Sequence, residues 1–408
     1  SEKTIGAPAV NQSKMNTFFN SISRLTISQI FLSLAFTGLF VWFLITPFLM
    51  RLEHMVLDAF FRARPPIVTH PGIVFIELDE KSMDAMGRFP WPRRYHAALI
   101  YILKSWGARA AVFDIMFARP ETDPEEDAVL LKAFRDSQDL IYLPVYFELS
   151  GGGHKWRRSA PAFERFSKAL GHVNVVKDND GILRRAHPII RHQGESYAQL
   201  GIQAAYDYLK EPVPASQGAD FPLDEKGYLL INWPGKWGEA FESYSYIDVL
   251  KSQDAVNQGE KPLIPSDAFQ DKICLIGFSV TGSADSHPTP FEPIHPGVGT
   301  IGAVANSVLT DQFLTPAPFW VNAVLLLIIG VIAGLSYIPY RTYYSPFGAL
   351  MLNIIWVLAA FYLFCENGIW INTAHPLILN LALFFLCAGT TKMASDREKA
   401  VFFKLATR

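Results

Sequence analysis

The residues whose types could do chemistry lie where apolar runs stop. In "FIELDEKSMDAMGRFPWPRR", Phe75 to Arg94, the acids Asp79, Glu80 and Asp84 follow an apolar run, and a Trp-Pro pair and two arginines come next. Asp114 closes a second apolar run, "ARAAVFDIMF", and Asp285 lies in "GFSVTGSADS", just past the run "KICLIGF". Paired carboxylates can do acid–base work when their surroundings drive their pKa values apart. A second group, "DSHPTPFEPIHPG", holds Asp285, His287, Glu292 and His295, all of types that bind zinc. Its prolines imply an extended loop, in which such residues are more often simply hydrated.

Carboxylates act only where secondary structure places them. The runs "GIVFIELDE", "ARAAVFDIMF" and "LIYLPVYFE" have strand character, and between them "RRYHAALIYILKSWG" and "EEDAVLLKAFRDS" have helical spacing. Strands alternating with helices at these lengths predict right-handed βαβ units and an α/β domain with a mostly parallel sheet. "HVNVV", "SYAQLGIQAAYDYLK", "YLLINW", "KICLIGF" and a helix through "VANSVLTDQFL" extend the same scheme. Such sheets take ligands beyond the carboxyl ends of their strands. The reading is therefore a crevice lined by Asp79, Asp114, Asp285 and the backbone of Gly277, against the alternative that each acid caps a turn or a helix. Trp91 and Pro92 form a corner before a helix opening at Arg93, whose free amides, with Arg93 or Arg94, could hold an anion. The competing reading pairs both arginines with nearby acids. Metal is not expected, and Asp285, His287, Glu292 and His295 are the weak candidates.

Half of the 408 residues are hydrophobic and the formal charge is -2, which gives no argument for nucleic acid. Charge is sparse at both ends of the chain. Residues 27–50 carry no charged side chain and are long enough to cross a bilayer, and three more apolar runs start at Phe319, Pro346 and Pro376. Lys14, Arg24, Arg341, Lys392, Arg397 and Lys399 flank these runs, and Arg51 alone sits on the opposite side. By the positive-inside rule both termini are cytoplasmic and the large domain is outside. The expected organisation is a cytoplasmic segment 1–26, a span 27–50, an outer domain 51–317, three spans in 318–391 and a cytoplasmic helix 392–408, four transmembrane helices in all. Of the 3 cysteines only Cys274 is in the outer domain, so no disulfide can form there.

The ordered segments "FFRARPP", "IVFIELDEKSMDAMGRFPWPRRYHAALI", "LKSWGARAAVFDIMFARPE", "KDNDGILRRAHPII", "LLINWPG", "YSYIDVL", "DKICLIGFSVTGSADSHPTP" and "HPGVGTIGAVANSVL" resemble a CHASE2 domain. The chain departs from that pattern at Gly299 and Thr300, where the family has an acid and a histidine. The resemblance implies the sensory and transmembrane part of a bacterial inner-membrane receptor, homodimeric, recognising an unknown extracytoplasmic ligand or protein and embedded in lipid. "FFKLATR" resembles the lead-in to a GGDEF-type diguanylate cyclase, which would need GTP and Mg; no cofactor is expected within the 408 residues themselves. Adenylate-type cyclases and protein kinases are the other outputs such sensors carry. Two rivals from other classes are an envelope assembly or binding protein without output and an enzyme using the strand-end acids.

Overall fold

A computed structural model describes residues 31–42, 47–150, 153–214, 221–280, 282, 285–337 and 345–406. The chain divides into two compact units, Asp58–Pro316 and the flanking segments up to Leu57 and from Ala317. Helices α1 (Phe31–Trp42) and α2 (Pro47–Ala63) come first, and the unit boundary falls within α2.

The Asp58–Pro316 unit opens with β1 (Ile73–Leu78), α3 (Glu80–Met86), α4 (Arg93–Ser105), β2 (Ala110–Phe113), α5 (Pro124–Asp136), β3 (Ile141–Ser150) and β4 (Gly153–Arg157). Next are α6 (Pro161–Glu164), β5 (Ala169–His172), β6 (Val175–Lys177), β7 (Leu183–Ala186), β8 (Ile189–His192), β9 (Glu195–Ala198) and α7 (Leu200–Leu209). The unit closes through β10 (Leu229–Leu230), β11 (Glu242–Ser245), α8 (Tyr246–Asn257), β12 (Ile273–Phe278), β13 (Ser286–His287), β14 (His295–Pro296) and α9 (Gly297–Thr310).

The main sheet runs β11-β1-β12-β2-β3-β4, with β5 also paired to β3. Every pairing in it is parallel except β3 with β4. A parallel sheet is covered on both faces, which is why β1, β2 and β12 are apolar without alternation. Val74, Ile76 and Leu78 join Leu99, Ile100, Leu103, Leu130, Phe134 and Val249 in one core under α4, α5 and α8. The opposite face belongs to α7 and α9. α9 is buried from Gly297 to Val308, the mark of a helix wrapped on all sides, and Gly302 lets it approach Phe75. Local signals agree with these boundaries. Asp123 caps α5 by accepting from the Glu125 amide at 3.0 Å, Pro124 follows at its first position, and Glu125, Glu126 and Asp127 occupy its first turn.

Two segments differ from the sequence reading. "YLLINW" contributes only the two-residue β10; beyond it Trp233 is buried and its indole donates to the Leu183 carbonyl at 3.1 Å. α9 covers Gly297–Thr310 rather than "VANSVLTDQFL": it starts earlier, since glycines that weaken an isolated helix are here demanded by packing, and it ends at Thr310 with Asp311 in the left-handed region.

In the flanking unit α10 (Phe319–Ser336), α11 (Ser345–Asn367) and α12 (Ala374–Ala406) pack together. Among the described residues two helices, Phe319–Ser336 and Pro346–Asn367, are long and apolar enough to cross a membrane; Phe31–Trp42 and Ala374–Thr390 are apolar but shorter. The first expected span falls partly on residues 27–30 and 43–46, outside the described residues, as do Lys14, Arg24 and Arg341. Gly330 and Gly334, four apart, let α1 come close: a Cβ at Gly330 would stand 2.2 Å from Thr37 Oγ1, and one at Gly334 2.8 Å from Ser33 Cβ. Such small-residue contacts, with polar groups as glue, hold helices together in lipid. The glue is Asn380, which accepts from Tyr337 at 2.5 Å and donates to Asn353 at 2.7 Å and to the Ala349 carbonyl at 2.9 Å.

Candidate functional site

The carboxyl ends of β1, β12 and β2 lie side by side, with Leu78 opposite Phe278 and Ile276 opposite Phe113. The strands therefore deliver Asp79, the loop leading to Asp285, and Asp114 to one edge of the sheet. Asp114 and Asp285 meet there. Their carboxyl groups share a hydrogen bond, and desolvation together with the Asp285 charge drives the Asp114 pKa well above the ordinary 3.8. Two facing carboxyl groups cannot both ionise cheaply, which together with burial keeps Asp114 protonated above the ordinary aspartate range.

α9 explains why Asp285 can face another acid. The Gly297 amide donates to the Asp285 carbonyl at 2.8 Å, and a Cβ at Gly297 would lie 2.4 Å from Asp285 Oδ2. The carboxylate thus rests against the first turn of a 14-residue helix, whose dipole favours negative charge. His287 Nε2 lies 3.5 Å from Asp285 Oδ1, and burial lowers the His287 pKa, so the imidazole is mainly neutral near pH 7.

Asp79 does different work from this pair. It caps α3, with Oδ1 accepting from the Ser82 amide at 2.9 Å, the Ser82 hydroxyl at 2.5 Å and the Ser245 hydroxyl at 2.9 Å. Gly277 is set by packing, because a Cβ there would meet Val298 Cβ at 2.6 Å. Trp91 is the expected corner: it is 2% exposed and its indole donates to the Gly87 carbonyl at 2.8 Å. It adjoins an aromatic cluster with Phe89, Tyr246 and His96, and burial takes the His96 pKa down to about 3.

Both arginines at the start of α4 are paired with acids. Arg93 is buried, donates to the Arg119 carbonyl at 2.8 Å, lies 3.4 Å from Glu121 and 3.3 Å from Asp127, and covers the Phe117 ring. Arg94 pairs with Glu126, whose Oε2 also takes the Arg94 amide at 2.8 Å. The anion position at this helix start is thus filled by the protein itself.

The four weak metal candidates resolve into two pairs. Asp285 meets His287, while Glu292 bonds His295 Nδ1 at 2.6 Å and the Trp237 amide at 2.8 Å. Among the described residues no three of their ligand atoms come within 4.8 Å of one another. His295 stands edge-on to Trp233 and Trp237, and its Nε2 fills the space of a Cβ at Gly299, only 2.3 Å away.

Sequence reasoning passed over a buried charge cluster. Arg184, with no exposed side-chain surface, donates from Nε and Nη2 to both oxygens of Asp58 at 2.7 Å. Its remaining N–H groups reach Asp178 at 2.8 Å and Asp180 at 3.0 and 2.9 Å. All five donors of the guanidinium are occupied by three carboxylates. Arg185 adds a bond to Asp224 at 2.9 Å and one to Asp178. The available signal was Asp58, an acid inside the apolar stretch "MVLDAFF".

The proton on Asp114 gives a measurable pH dependence. As pH rises above the ordinary value of 3.8, an unfolded chain releases this proton while the folded protein keeps it. Stability contributed by the group is therefore complete below that value and lost as pH rises through the folded pKa. Asp114→Asn keeps a donor for Asp285 but has no proton to lose, so the variant should gain on the wild type as pH rises. Melting temperatures from about pH 4 to about pH 7 measure this; a difference that stays constant would show that Asp114 is not the proton carrier.

No curated protein and no solved structure matches the chain. The family model for the CHASE2 domain matches residues 33–336, a stretch that contains the whole α/β unit, the Asp114–Asp285 pair and the first of the two long apolar helices. The chain belongs to the CHASE2 domain family, the extracytoplasmic sensory domains of membrane signalling receptors.

Proposed function

We propose that this chain is the sensory and membrane part of a bacterial inner-membrane receptor, in which the α/β unit registers an extracytoplasmic ligand or protein and four helices pass the result to a cytoplasmic output. The observation that carries the reading is the proton-sharing pair Asp114–Asp285, at the edge of a parallel sheet where open α/β folds take ligands. Asp285 lies within the β12-to-α9 connection and accepts from the first amide of α9, while Asp114 follows β2, so a group that separates the two acids also acts on the start of α9. A ligand acts by favouring one of two arrangements, and its effect is limited to its differential affinity for them.

The output we favour is cyclic di-GMP synthesis from GTP and Mg, with the receptor working as a homodimer because two cyclase domains must meet. Support comes from the resemblance of "FFKLATR" to the lead-in of such a cyclase. Topology follows the same reading, with both termini cytoplasmic.

The test joins a diguanylate cyclase domain after Arg408 and compares the wild type with Asp114→Asn/Asp285→Asn. The double variant folds with an unchanged circular dichroism spectrum and sets cellular cyclic di-GMP to a new fixed level. An unchanged level in a folded double variant would remove the pair from signalling. Hydrolytic activity of the outer unit, lost in the same variant, would favour the enzyme reading instead.

A further inference from the structure

α2 carries two buried carboxylates, Glu53 and Asp58, 0% and 5% exposed. Acids inside an apolar helix are costly unless each is fully bonded. Asp58 is held by the fork of Arg184. Glu53 is held at the start of α12: Oε2 accepts from the Thr373 amide at 2.7 Å, Oε1 from the His375 amide at 2.8 Å, and His375 Nδ1 completes the set. His375 is also fully buried. Glu53 therefore supplies the capping acceptor for a 33-residue helix, a role ordinarily filled by a neighbour in sequence, from 320 positions away.

The two joints differ in what they grip. Asp58 is fixed to the β6–β7 segment through Arg184, which also binds Asp178 and Asp180. Glu53 is fixed to the first backbone amides of α12, the helix whose far end carries the charged tail. Each joint consists of several hydrogen bonds to one carboxyl group, so a turn or shift of α2 strains bonds at both. Such bonds are stronger than neutral ones and unfavourable to leave unmade.

We propose that α2 is the coupling element of the receptor, and that Glu53 is the positioning residue through which a change at the Arg184 cluster reaches the start of α12. The proposal rests on the receptor reading for its purpose but not for its test. Glu53 acts by holding the amides of Thr373 and His375, and the information passed is the position of that helix start.

The experiment is hydrogen exchange on the full chain in lipid nanodiscs, read at the amides of Thr373 and His375, with Leu379 and Leu383 further along α12 as controls. Arg184→Lys, which keeps the charge but cannot make the fork, should speed exchange at Thr373 and His375 about tenfold and leave the control amides unchanged. Glu53→Gln should speed the same amides, and adding Arg184→Lys to it should have no further effect, because the route is already cut. Should Arg184→Lys fail to fold, Asp178→Asn removes one of the three acceptors and is read in the same way. Additive effects in the double variant, or unchanged exchange at Thr373 and His375, would overturn the proposal. A silent cyclase beside clear coupling would refute the receptor reading alone, and a responsive cyclase beside absent coupling would refute α2's role alone.

Discussion

Arg184→Met should destabilise the Asp58–Pro316 unit by about 4 kcal/mol, as expected when one partner of a buried ion pair is removed and the others stay charged. The methionine fills the volume, so the loss is electrostatic. Asp58, Asp178 and Asp180, with side chains only 7%, 8% and 12% exposed, would each lose its bonds to Arg184. Arg185 reaches Asp178 but not Asp58, so Asp58 bears the heaviest penalty. Adding Asp58→Asn to Arg184→Met should therefore recover part of the loss. Urea unfolding followed by tryptophan fluorescence measures both variants, and a double variant no more stable than Arg184→Met would show that packing, not charge, governs the site. Arg94→Ala sets the scale: its side chain is 58% exposed, and its pair with Glu126 should be worth less than about 1 kcal/mol.

Gly201→Ala should cost about 3 kcal/mol, at the upper end for an overpacked core. An added Cβ would stand 2.2 Å from the Ile301 carbonyl oxygen and 3.1 Å from the Ala305 amide, so α7 and α9 could not keep their spacing. Neither obstacle is a flexible side chain. The same Cβ would lie 2.9 Å from Gln199 Oε1, which caps α7 by accepting from the Gly201 and Ile202 amides at 2.6 and 3.1 Å. Losing that cap adds about 1 kcal/mol. Gly87→Ala makes a useful contrast: no atom lies within 4 Å of its Cβ position, and only its φ of +84° opposes the change. Thermal unfolding of both variants separates a helix-packing penalty from a backbone one, and equal losses would contradict the close approach of α7 and α9.

The parts of the fold legible in the sequence were those whose apolar residues form unbroken runs or regular stripes. β1, β2, β3, β12, α4 and α5 announce themselves as apolar runs or apolar stripes because both faces of the sheet are covered. α9 hid its first turns, since Gly297, Gly299 and Gly302 read as loop until the neighbours that require them are known. The strand-end rule placed Asp114 and Asp285 correctly at one edge of the sheet. It could not show that Asp79 would be used up by Ser82 and Ser245, because hydroxyl partners, one in α3 and one at the end of β11, leave no periodic signal. Arg184 and Asp58 are 126 positions apart, and no local pattern links an acid in one helix to a guanidinium in a distant strand. The Glu53 cap on α12 escaped for the same reason.

Surface attraction between charges fades with added salt, over a screening length of about 8 Å at physiological ionic strength. Lys81–Asp248, with the lysine 55% exposed, will loosen in brine and tighten in fresh water. Arg184 has no solvent-facing surface, so dissolved ions cannot reach between it and Asp58. The grip on α2 is therefore indifferent to salinity, and a cell moved from dilute to concentrated surroundings keeps that internal joint at one setting while the pairs on its surface change.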